Sequence, residues 1–298
     1  MQKFKGDFVY WDDIRVFMAV VRGQSLTAAA RELRLDPATI GRRVGRLERD
    51  LGATLFAKSP QGYVLTEEGM RVHDRARQAE DAVSAMARNT ASDPGLSGQV
   101  RIGAPDGCAT FLLPQVCAAV RREHPGLEFQ IISLPWIVNL SRREADLAIT
   151  VSPPVTGRLI VQKIADYKLH FACHRDLARE PDALATVGYI PDMIFDRELD
   201  YLRGTGRSDV KMASNSVTVQ LAMLRQKAGL GIVHDFALPF VPELVRVLQD
   251  RVSLTRAYHL VRHEADRRSD RLTTVAGLLV QALKAEINRL EAQAAGKA

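Results

Sequence analysis

The sequence predicts a mixed α/β protein, with an all-α N-terminal domain followed by an α/β domain. Two observations support this division. Apolar residues recur at helical spacing through the first ninety residues. After residue 98, short apolar runs alternate with helical segments, which is typical of an α/β domain with a largely parallel sheet. Residues 89–98 (NTASDPGLSG) separate the two patterns and indicate a linker.

Composition is that of a globular protein. The chain has 298 residues, 46% hydrophobic and 26% charged, which suits two or three domains and excludes a largely disordered chain. A net charge of +6 permits an anionic partner without establishing one. Three cysteines form no disulfide framework, and neither a secretory signal nor an apolar run of about 20 residues is evident. We expect a cytoplasmic protein without a membrane partner.

Three helices are predicted at the N-terminus. Apolar residues at helical spacing mark a first helix that ends at Gly23. Ser25 caps a second helix that runs to Leu33, and Asp36 followed by Pro37 suits the start of a third, which ends near Gly52. The apolar face of the first helix is formed by Ile14, Phe17, Met18 and Val21.

A hairpin and a long helix follow. Residues 54–65 place Ser59-Pro60-Gln61-Gly62 between two short apolar runs, which predicts a β-hairpin with a tight tip. Thr66 caps a helix that runs to about Asn89. The apolar stripe of this helix is formed by Met70, Ala76, Ala79, Val83 and Met86.

The third helix, residues 36–51, has an apolar face and an arginine-rich face. Such a helix can lie in the major groove of DNA, where arginine donates two hydrogen bonds to guanine or pairs with phosphate. The alternative is a solvated face, partly balanced by Glu48 and Asp50. The apolar face comprises Ile40, Val44, Leu47 and Leu51, and the basic residues are Arg42, Arg43, Arg46 and Arg49.

The neighbours of this helix favour DNA binding. A short helix, a tight turn and a second, basic helix form a helix-turn-helix unit, and the hairpin after it would be a wing. Hydroxyls at the start of the second helix suit phosphate contacts. The predicted DNA contacts are Ser25, Thr27, Pro37, Ala38, Thr39, Gly41, Arg42, Arg43, Arg46, Lys58 and Gln61.

Short motifs follow one another without a gap between Phe17 and Gly69. They are Ser25-Leu26-Thr27-Ala28-Ala29-Ala30, Leu33, Asp36 to Arg43, Leu47-Glu48, Leu51-Gly52, Leu55-Phe56 and Leu65-Thr66-x-x-Gly69. In this order and spacing they resemble the DNA-binding domain of LysR-type transcriptional regulators. That family usually has serine at the position of Gly41, and often glutamine at the position of Arg43. Which bases are contacted is therefore left open.

The resemblance also implies a domain organisation and an oligomeric state. The helix over 67–89 would be the family's linker helix, which pairs with a second copy, and the alternative is that its stripe packs on its own chain. A homodimer or homotetramer would bind an interrupted palindrome. The resemblance implies a winged helix-turn-helix domain at 8–66 (helix-turn-helix about 26–45), the linker helix, and a hinge at 90–98.

Residues 99–298 resemble the family's effector-binding domain, which has a periplasmic-binding-protein-like fold of two lobes with a cleft between them. The matching motifs are Gln99 to Gly103, Leu113-Pro114, His124-Pro125-Gly126, Ala145 to Ile149 and Ala228 to Ile232. Lobe I would comprise 99–162 plus 262–298, and lobe II 163–261. Strands are predicted at 99–104, 127–133, 145–151, 159–164, 168–173, 231–233 and 256–261, and helices at 111–122, 137–143, 216–227 and 272–290.

The effector is expected beyond the carboxyl ends of the strands, where open α/β folds bind ligands. Helix N-termini there suit a carboxylate, but Asp106 places a negative charge where the family often has a hydroxyl. An amine or a neutral ligand is therefore an alternative, and ordinary loop capping is the alternative for each residue. The predicted effector contacts are Asp106, Gly107, Thr110, Ser133, Leu134, Ser152, Asn215, Ser216 and His234.

Other motifs predict neither catalysis nor a cofactor. His170, Cys173 and His174 have metal-ligand spacing, but strand geometry directs the first two to opposite faces, so no metal site is expected. Cys108, near a helix N-terminus, is a candidate redox-sensing thiol, and a buried core cysteine is the favoured alternative. We identify no catalytic triad, phosphate loop or supported carboxylate pair, and so we expect no enzyme.

The sequence therefore predicts a LysR-type regulator that binds promoter DNA and is controlled by a small molecule held between two lobes. A contact with RNA polymerase is left open. The rival interpretations are a solute-binding protein whose basic helix is incidental and an enzyme built on the α/β domain.

Overall fold

A computed structural model of the chain describes residues 9–59, 62–89, 95–133, 145–155, 157–194, 196–207 and 209–296. The chain folds into two compact units, Met1–Pro94 and Gly95–Ala298, each with its own hydrophobic core. Within the described residues, no helix has the length and apolar character needed to cross a membrane. The helix predicted at 137–143 and the predicted contacts Gln61 and Leu134 lie outside the described residues.

The first unit begins with three helices whose ends follow local capping rules. They are α1 (Trp11–Gly23), α2 (Leu26–Leu33) and α3 (Pro37–Leu51). Ser25 Oγ accepts the amide N–H of Ala28 at 3.1 Å, and Asp36 caps α3 with Pro37 in its first turn. These features confirm the predicted starts of α2 and α3. Leu51, predicted on the buried face, is the last residue of α3 and is instead 38% exposed.

A hairpin and a long helix complete this unit, as predicted. They are β1 (Phe56–Ser59), β2 (Gly62–Leu65) and α4 (Glu67–Asn89). The two strands pair antiparallel, and Thr66 Oγ1 accepts the Gly69 N–H at 2.9 Å at the start of α4. A β-carbon on Gly69 would lie 2.0 Å from the Leu55 carbonyl oxygen, so the close approach of α4 to the hairpin requires glycine.

The second unit is an α/β domain around one mixed sheet of nine described strands. Its elements are β3 (Gly98–Ala104), α5 (Asp106–Phe111), α6 (Leu113–Glu123), β4 (Leu127–Ser133), β5 (Leu147–Thr150), β6 (Leu159–His174), β7 (Thr186–Gly188), β8 (Val210–Ala213), α7 (Val217–Arg225), β9 (Leu230–His234), β10 (Leu244–Arg246), β11 (Ser253–His263) and α8 (Asp270–Ala295). The strand order is β4-β3-β5-β11-β6-β9-β7-β8, with β10 also paired to β6.

The sheet is parallel at its two ends and antiparallel in its middle, so the expectation of a largely parallel sheet is wrong for the centre. Strands β3, β4 and β5 pair in parallel, as do β7, β8 and β9. Between these groups, β6 and β11 form a long antiparallel ladder. The lobe boundaries predicted at 162/163 and 261/262 fall within these two continuous strands.

Two predicted elements differ from the structure for local reasons. The strands expected at 159–164 and 168–173 are one strand, because β6 continues its pairing with β11 through Asp166, whose side chain is exposed. The helix expected at 111–122 is α6, which begins at Leu113, and the preceding α5 was not predicted; the two helices are separated at Leu112 (φ −120°, ψ −53°), just before Leu113-Pro114, where proline disfavours a continuous helix. Strands β7, β8 and β10, of three or four residues, are too short to give a sequence pattern.

Helix α8 covers one face of the sheet. It packs against α6, β6 and the short 3₁₀ segment Asp235–Phe240. Its buried residues recur at helical spacing, and the helix predicted at 272–290 extends beyond those bounds at both ends. They are Leu272, Val275, Ala276, Leu279, Val280, Leu283, Ile287, Leu290 and Ala294.

Candidate functional site

The exposed surface of α2 and α3 carries several of the predicted DNA contacts. Thr27, Pro37, Ala38 and Arg42 are exposed, and Thr39 is half-buried. Arg42 Nη2 donates to Thr39 Oγ1 at 3.1 Å, which aligns the guanidinium along the helix. Among the residues that the structure describes, Arg42 forms no ion pair, so its charge is not neutralised by a carboxylate within this unit.

Ser25 and Gly41 lie half-buried beside this surface. The contact with Ala28 uses Ser25 Oγ as an acceptor, which leaves the hydroxyl proton for another acceptor such as phosphate. A β-carbon on Gly41 would lie 3.5 Å from Leu26 Cδ1, an ordinary van der Waals distance. The space at Gly41 therefore admits a small side chain, and glycine is not required by packing.

Arg46 is bound within the first unit. Its Nε and Nη2 each lie 2.5 Å from a carboxylate oxygen of Asp13, which is completely buried in the first turn of α1. Its guanidinium also lies 5.0 Å from the centre of the Tyr10 ring. The hydrogen bonds with Asp13 raise the pKa of Arg46 above its usual value. Arg46 thus joins α1 to α3, and it cannot make a two-bond contact with a base while Asp13 is bound.

In its ion pairing, Arg43 is intermediate between Arg42 and Arg46. Its Nη1 lies 3.5 Å from Asp12 Oδ2, and the Asp12 side chain is 61% exposed. Such an exposed pair contributes little stability and exchanges readily for another anion. Arg43 therefore remains able to contact a phosphate, unlike Arg46.

The hairpin is attached to the helices by contacts that the sequence did not indicate. Glu48 accepts the amide N–H groups of Leu55 and Phe56 at 2.7 and 3.3 Å, and Tyr63 N–H donates to the Gln24 carbonyl at 2.9 Å. A carboxylate near a helix C-terminus is disfavoured by the helix dipole, which was an available signal that Glu48 has a specific partner.

One of the two predicted wing contacts lies toward the far end of the hairpin. Lys58 is on β1, opposite Tyr63 in the hairpin register and next to the predicted tip. The other predicted wing contact, Gln61, lies outside the described residues. The structure therefore places the backbone of Lys58 at the expected end of the hairpin.

In the second unit, the predicted effector contacts lie around the carboxyl ends of β3, β4 and β5 and the start of α7. The structure brings Asp106 to Ser216, whose hydroxyl donates to its carboxylate at 2.8 Å. Thr218 donates to the same carboxylate through its amide at 3.0 Å and its hydroxyl at 3.1 Å. Ser133 Oγ approaches Asp106 at 3.4 Å, and the hydroxyls of Thr110 and Thr218 lie 3.3 Å apart.

His234 and Gly107 also meet at this place. A β-carbon on Gly107 would lie 3.4 Å from His234 Cε1, so the absence of a side chain lets the imidazole approach α5. His234 is 2% exposed, and its Nε2 lies 3.3 Å from the Tyr201 hydroxyl. Burial lowers the pKa of His234 from its usual 6.5 to about 3, although the charge of Asp106 acts in the opposite direction. The ring is therefore uncharged at neutral pH.

The remaining predicted contacts are more separate. Ser152 Oγ donates to Asp196 Oδ1 at 2.9 Å, and the same oxygen accepts the Glu198 N–H. Asn215, half-buried just before α7, makes no side-chain hydrogen bond within the part of the chain that the structure describes. Besides the contact of Asp106 with Ser216, Ser152 and Asp196 thus form a second polar contact between distant segments, which we call the Ser152 bridge. No described side-chain hydrogen bond includes Asn215.

Three residues of this region were missed by the sequence analysis. Thr218 follows the cap residue of α7, and its place in the first turn of a helix was a usable signal. Asp196 and Tyr201 lie in a stretch of turns and short 3₁₀ helices whose position next to β5 and β9 depends on long-range contacts. No local pattern distinguishes them.

The side chains with metal-ligand spacing have separate surroundings. His170 Nδ1 lies 2.9 Å from Asp235 Oδ1, His174 Nδ1 accepts the Asp176 N–H, and Cys173 is buried in the core. Within the described residues, no group of three or more potential ligands is suited to a metal ion. Cys108 is also buried, and burial raises the pKa of its thiol, which makes it a poor nucleophile.

Two family models match consecutive parts of the chain. The LysR substrate binding domain matches residues 93–284, and the bacterial regulatory helix-turn-helix protein of the lysR family matches residues 11–70. The chain is 26% identical over 231 residues to the HTH-type transcriptional regulator DmlR of Escherichia coli, covering 76% of this chain and 74% of that protein. It is 24% identical to the uncharacterized HTH-type transcriptional regulator YoaU of Bacillus subtilis, covering 92% of this chain and 97% of that protein.

The solved structure of a full-length OxyR variant from Pseudomonas aeruginosa shares the fold, with a TM-score of 0.68 and 14% identity over 93% of this chain and 95% of that one. The family comprises transcriptional regulators and not enzymes. The two family models thus match the helix-turn-helix of the first unit and the α/β domain of the second. The chain belongs to the LysR family of transcriptional regulators.

Proposed function

We propose that the chain binds operator DNA through the exposed face of α2 and α3, as a homodimer or homotetramer in the cytoplasm. The observation that carries this proposal is the contrast between Arg42 and Arg46. Arg46 is bound to a buried carboxylate, whereas Arg42 lies on the exposed face with no ion pair among the described residues. An unneutralised guanidinium on the outer face of a helix-turn-helix is suited to guanine or phosphate.

The other DNA contacts that we propose surround Arg42. Thr27, Pro37, Ala38 and Thr39 lie near the N-termini of α2 and α3, where backbone N–H groups favour phosphate. Ser25, Gly41, Arg43, Lys58 and Gln61 complete the proposed set.

Helix α4 supports pairing with a second copy over its later turns. Ala76 is buried in the core of its own unit, so the beginning of the apolar stripe packs within the chain. Val83, two turns further on, is 47% exposed. An apolar residue in that position is suited to a partner helix, and a twofold dimer presents two recognition helices to an interrupted palindrome.

A small-molecule effector would bind where the two lobes meet. Asp106, Gly107, Thr110, Ser133, Ser216 and His234 lie close together at strand and helix ends of the second unit. We include Leu134, Ser152 and Asn215 in the proposed site. We propose the boundaries 8–66, 67–89, 90–98 and 99–298 for the DNA-binding domain, linker helix, hinge and effector-binding domain, with lobes 99–162 plus 262–298 and 163–261. We also propose a contact with RNA polymerase, through which the chain would activate or repress transcription.

The DNA proposal is tested by fluorescence anisotropy with the promoter region beside the gene and with random DNA of equal length. Arg42→Ala is expected to weaken operator binding by about 1–3 kcal/mol and random binding much less, because a bidentate base contact discriminates by that amount. Arg49→Ala removes the same charge from the last turn of α3 and is expected to weaken both equally. Equal losses for Arg42→Ala on both DNAs would make it a phosphate contact, and no binding of the wild type at low salt would refute the proposal.

A further inference from the structure

We propose that Asp106 is the specificity-determining residue of the interlobe site: its carboxylate takes the donors at the N-terminus of α7, so the site rejects ligand carboxylates there and accepts a group that is uncharged or positively charged. This inference rests on the proposed function, since it assumes that the effector binds between the lobes.

The first step is the contact between Asp106 and α7. The first N–H groups of a helix lack intrahelical acceptors and favour an anion. Asp106 Oδ2 accepts the Thr218 N–H at 3.0 Å together with the hydroxyls of Thr218 and Ser216 at 3.1 and 2.8 Å. Three donors thus converge on one oxygen of a side chain that lies more than 100 residues earlier in the sequence. This is the arrangement that a bound carboxylate would require.

The second step concerns the contacts that fix Asp106 within its own part of the domain, away from α7. It begins α5, so its backbone is part of a helix, and Ser133 Oγ at the end of β4 lies 3.4 Å from its other oxygen, Oδ1. A ligand carboxylate would have to displace this side chain from α7 and remain beside it. Like charges at that distance repel, and the helix end carries only a partial positive charge.

The third step is the charge of the surroundings. Asp196, in the Ser152 bridge, is a second carboxylate, and burial keeps His234 uncharged. In the part of the chain that the structure describes, neither Asp106 nor Asp196 forms an ion pair with a cation. An additional anion beside Asp106 would therefore meet a carboxylate that has no cationic partner among the described residues, whereas an ammonium or a neutral polar group would not be repelled by it.

The fourth step identifies a contact point for the ligand. His234 Nδ1 is buried and has no hydrogen-bond partner among the described residues, and it lies 3.6 Å from the position of a β-carbon on Gly107. A buried polar nitrogen without a partner is costly, and a ligand hydrogen bond would remove that cost. Nδ1 of the neutral imidazole donates or accepts according to its tautomer, and the carboxylate of Asp106 accepts. The two groups together therefore suit a polar ligand with at least one hydrogen-bond donor.

The test is chemical rescue of Asp106 variants by acetate in the full-length protein. Rescue is measured as the Tm of thermal denaturation in sodium acetate, compared with the Tm in sodium chloride of equal ionic strength. Asp106→Ala is expected to lower Tm in chloride and to regain it in acetate, because acetate enters the vacated position. The half-saturating acetate concentration should be at least about tenfold lower for Asp106→Ala than for the wild type. Asp106→Ser, which also leaves room for acetate, gives the same comparison if the alanine variant does not fold.

Two control variants distinguish rescue from a general salt effect. Asp106→Asn fills the same space without a charge and is expected to lose Tm without rescue. Ser152→Ala removes the other polar bridge without vacating an anion position, so acetate should not restore it. Three results would overturn the inference. Acetate could rescue either control, it could leave the Tm of Asp106→Ala and of Asp106→Ser alike unchanged, or it could stabilise the wild type as much as these two variants. Because these experiments involve no DNA, a failed operator assay would refute the proposed function independently.

Discussion

The junction between α1 and α3 and the junction between the two lobes both place an aspartate in the first turn of a helix, but they stabilise its charge differently. Asp13 is completely buried and forms two hydrogen bonds with Arg46. Asp106 is half-buried and accepts only from hydroxyls and an amide N–H among the described residues. Breaking a buried ion pair leaves an uncompensated charge, whereas hydrogen bonds to neutral donors exchange for water at lower cost.

This difference matches what each junction has to do. A helix-turn-helix must present its exposed residues in a constant arrangement, and the ion pair between the partly exposed Arg46 and the buried carboxylate of Asp13 holds α1 and α3 together. At the proposed effector site, contacts that water or a ligand can replace would allow a ligand to enter. The charge of Asp13 is therefore paired with a cation, whereas the charge of Asp106 is stabilised by neutral donors.

The largest expected effect is from breaking the charge pair of the first region. Arg46→Met keeps the length of the side chain but leaves Asp13 buried without its cation, so the Tm of the N-terminal unit should fall by several degrees. Operator and random DNA should both be bound more weakly, because α3 loses its fixed position. Differential scanning calorimetry and fluorescence anisotropy measure the two effects.

The matched variant is Arg43→Met, since its partner Asp12 is exposed and lies 3.5 Å away. It should change Tm by less than about one degree, as exposed pairs contribute little. If both variants lowered Tm equally, the distinction between a fixed and an exchangeable pair in this region would be wrong.

The second prediction concerns pH and the uncharged histidine of the second region. The folded pKa of His234 is about 3, below the usual 6.5, so the unfolded chain binds more protons between these values. Its contribution to stability is complete above pH 6.5 and is lost as the pH falls, at up to about 1.4 kcal/mol per pH unit. Urea denaturation between about pH 4 and 8 measures this slope.

His234→Asn provides the comparison, because asparagine keeps a polar side chain that does not titrate. The variant should be less stable at neutral pH but should lose part of the slope below pH 6.5. An unchanged slope would show that the acid sensitivity arises elsewhere in the protein.

The smallest expected effect is a gain in stability from Gly41→Ala. The added β-carbon has room, 3.5 Å from Leu26 Cδ1, and alanine favours a helix interior over glycine by about 1 kcal/mol. Gly45→Ala on the same helix also has room, 3.7 Å from Arg49 Nη1, and should give a similar gain. Urea denaturation measures both gains, and only the Gly41 variant is expected to alter operator affinity. If both variants were less stable than the wild type, the free space at these positions or the expected gain in helix propensity would be wrong.

The ends of the N-terminal helices could be predicted from the sequence because their causes are local. Ser25 and Asp36 accept amide hydrogens from residues only two or three positions away, and Thr66 does the same at the start of α4. The spacing of the apolar residues in α3 also predicted its buried face, apart from Leu51. Capping and helical periodicity act over one turn, so a sequence of that length contains the information.

The partners of the charged residues were less predictable. Arg42 and Arg46 have the same chemistry and the same helical stripe, yet only Arg46 meets Asp13, 33 positions earlier in the chain. Likewise, Asp106 was expected near the effector, but its contact with Thr218, 112 positions away, followed only from the packing of α5 against α7.

By itself, the sequence determined the order of the helices, the helix-turn-helix, most of the strands and the family to which the chain belongs, because these depend on short-range spacing and side-chain type. The tertiary structure alone decided that β6 crosses the domain without interruption, that Arg46 pairs within the first unit, and that α7 receives the carboxylate of Asp106. Each of these depends on groups far apart in the chain meeting in a buried or half-buried place, where burial and geometry set the energy of the contact.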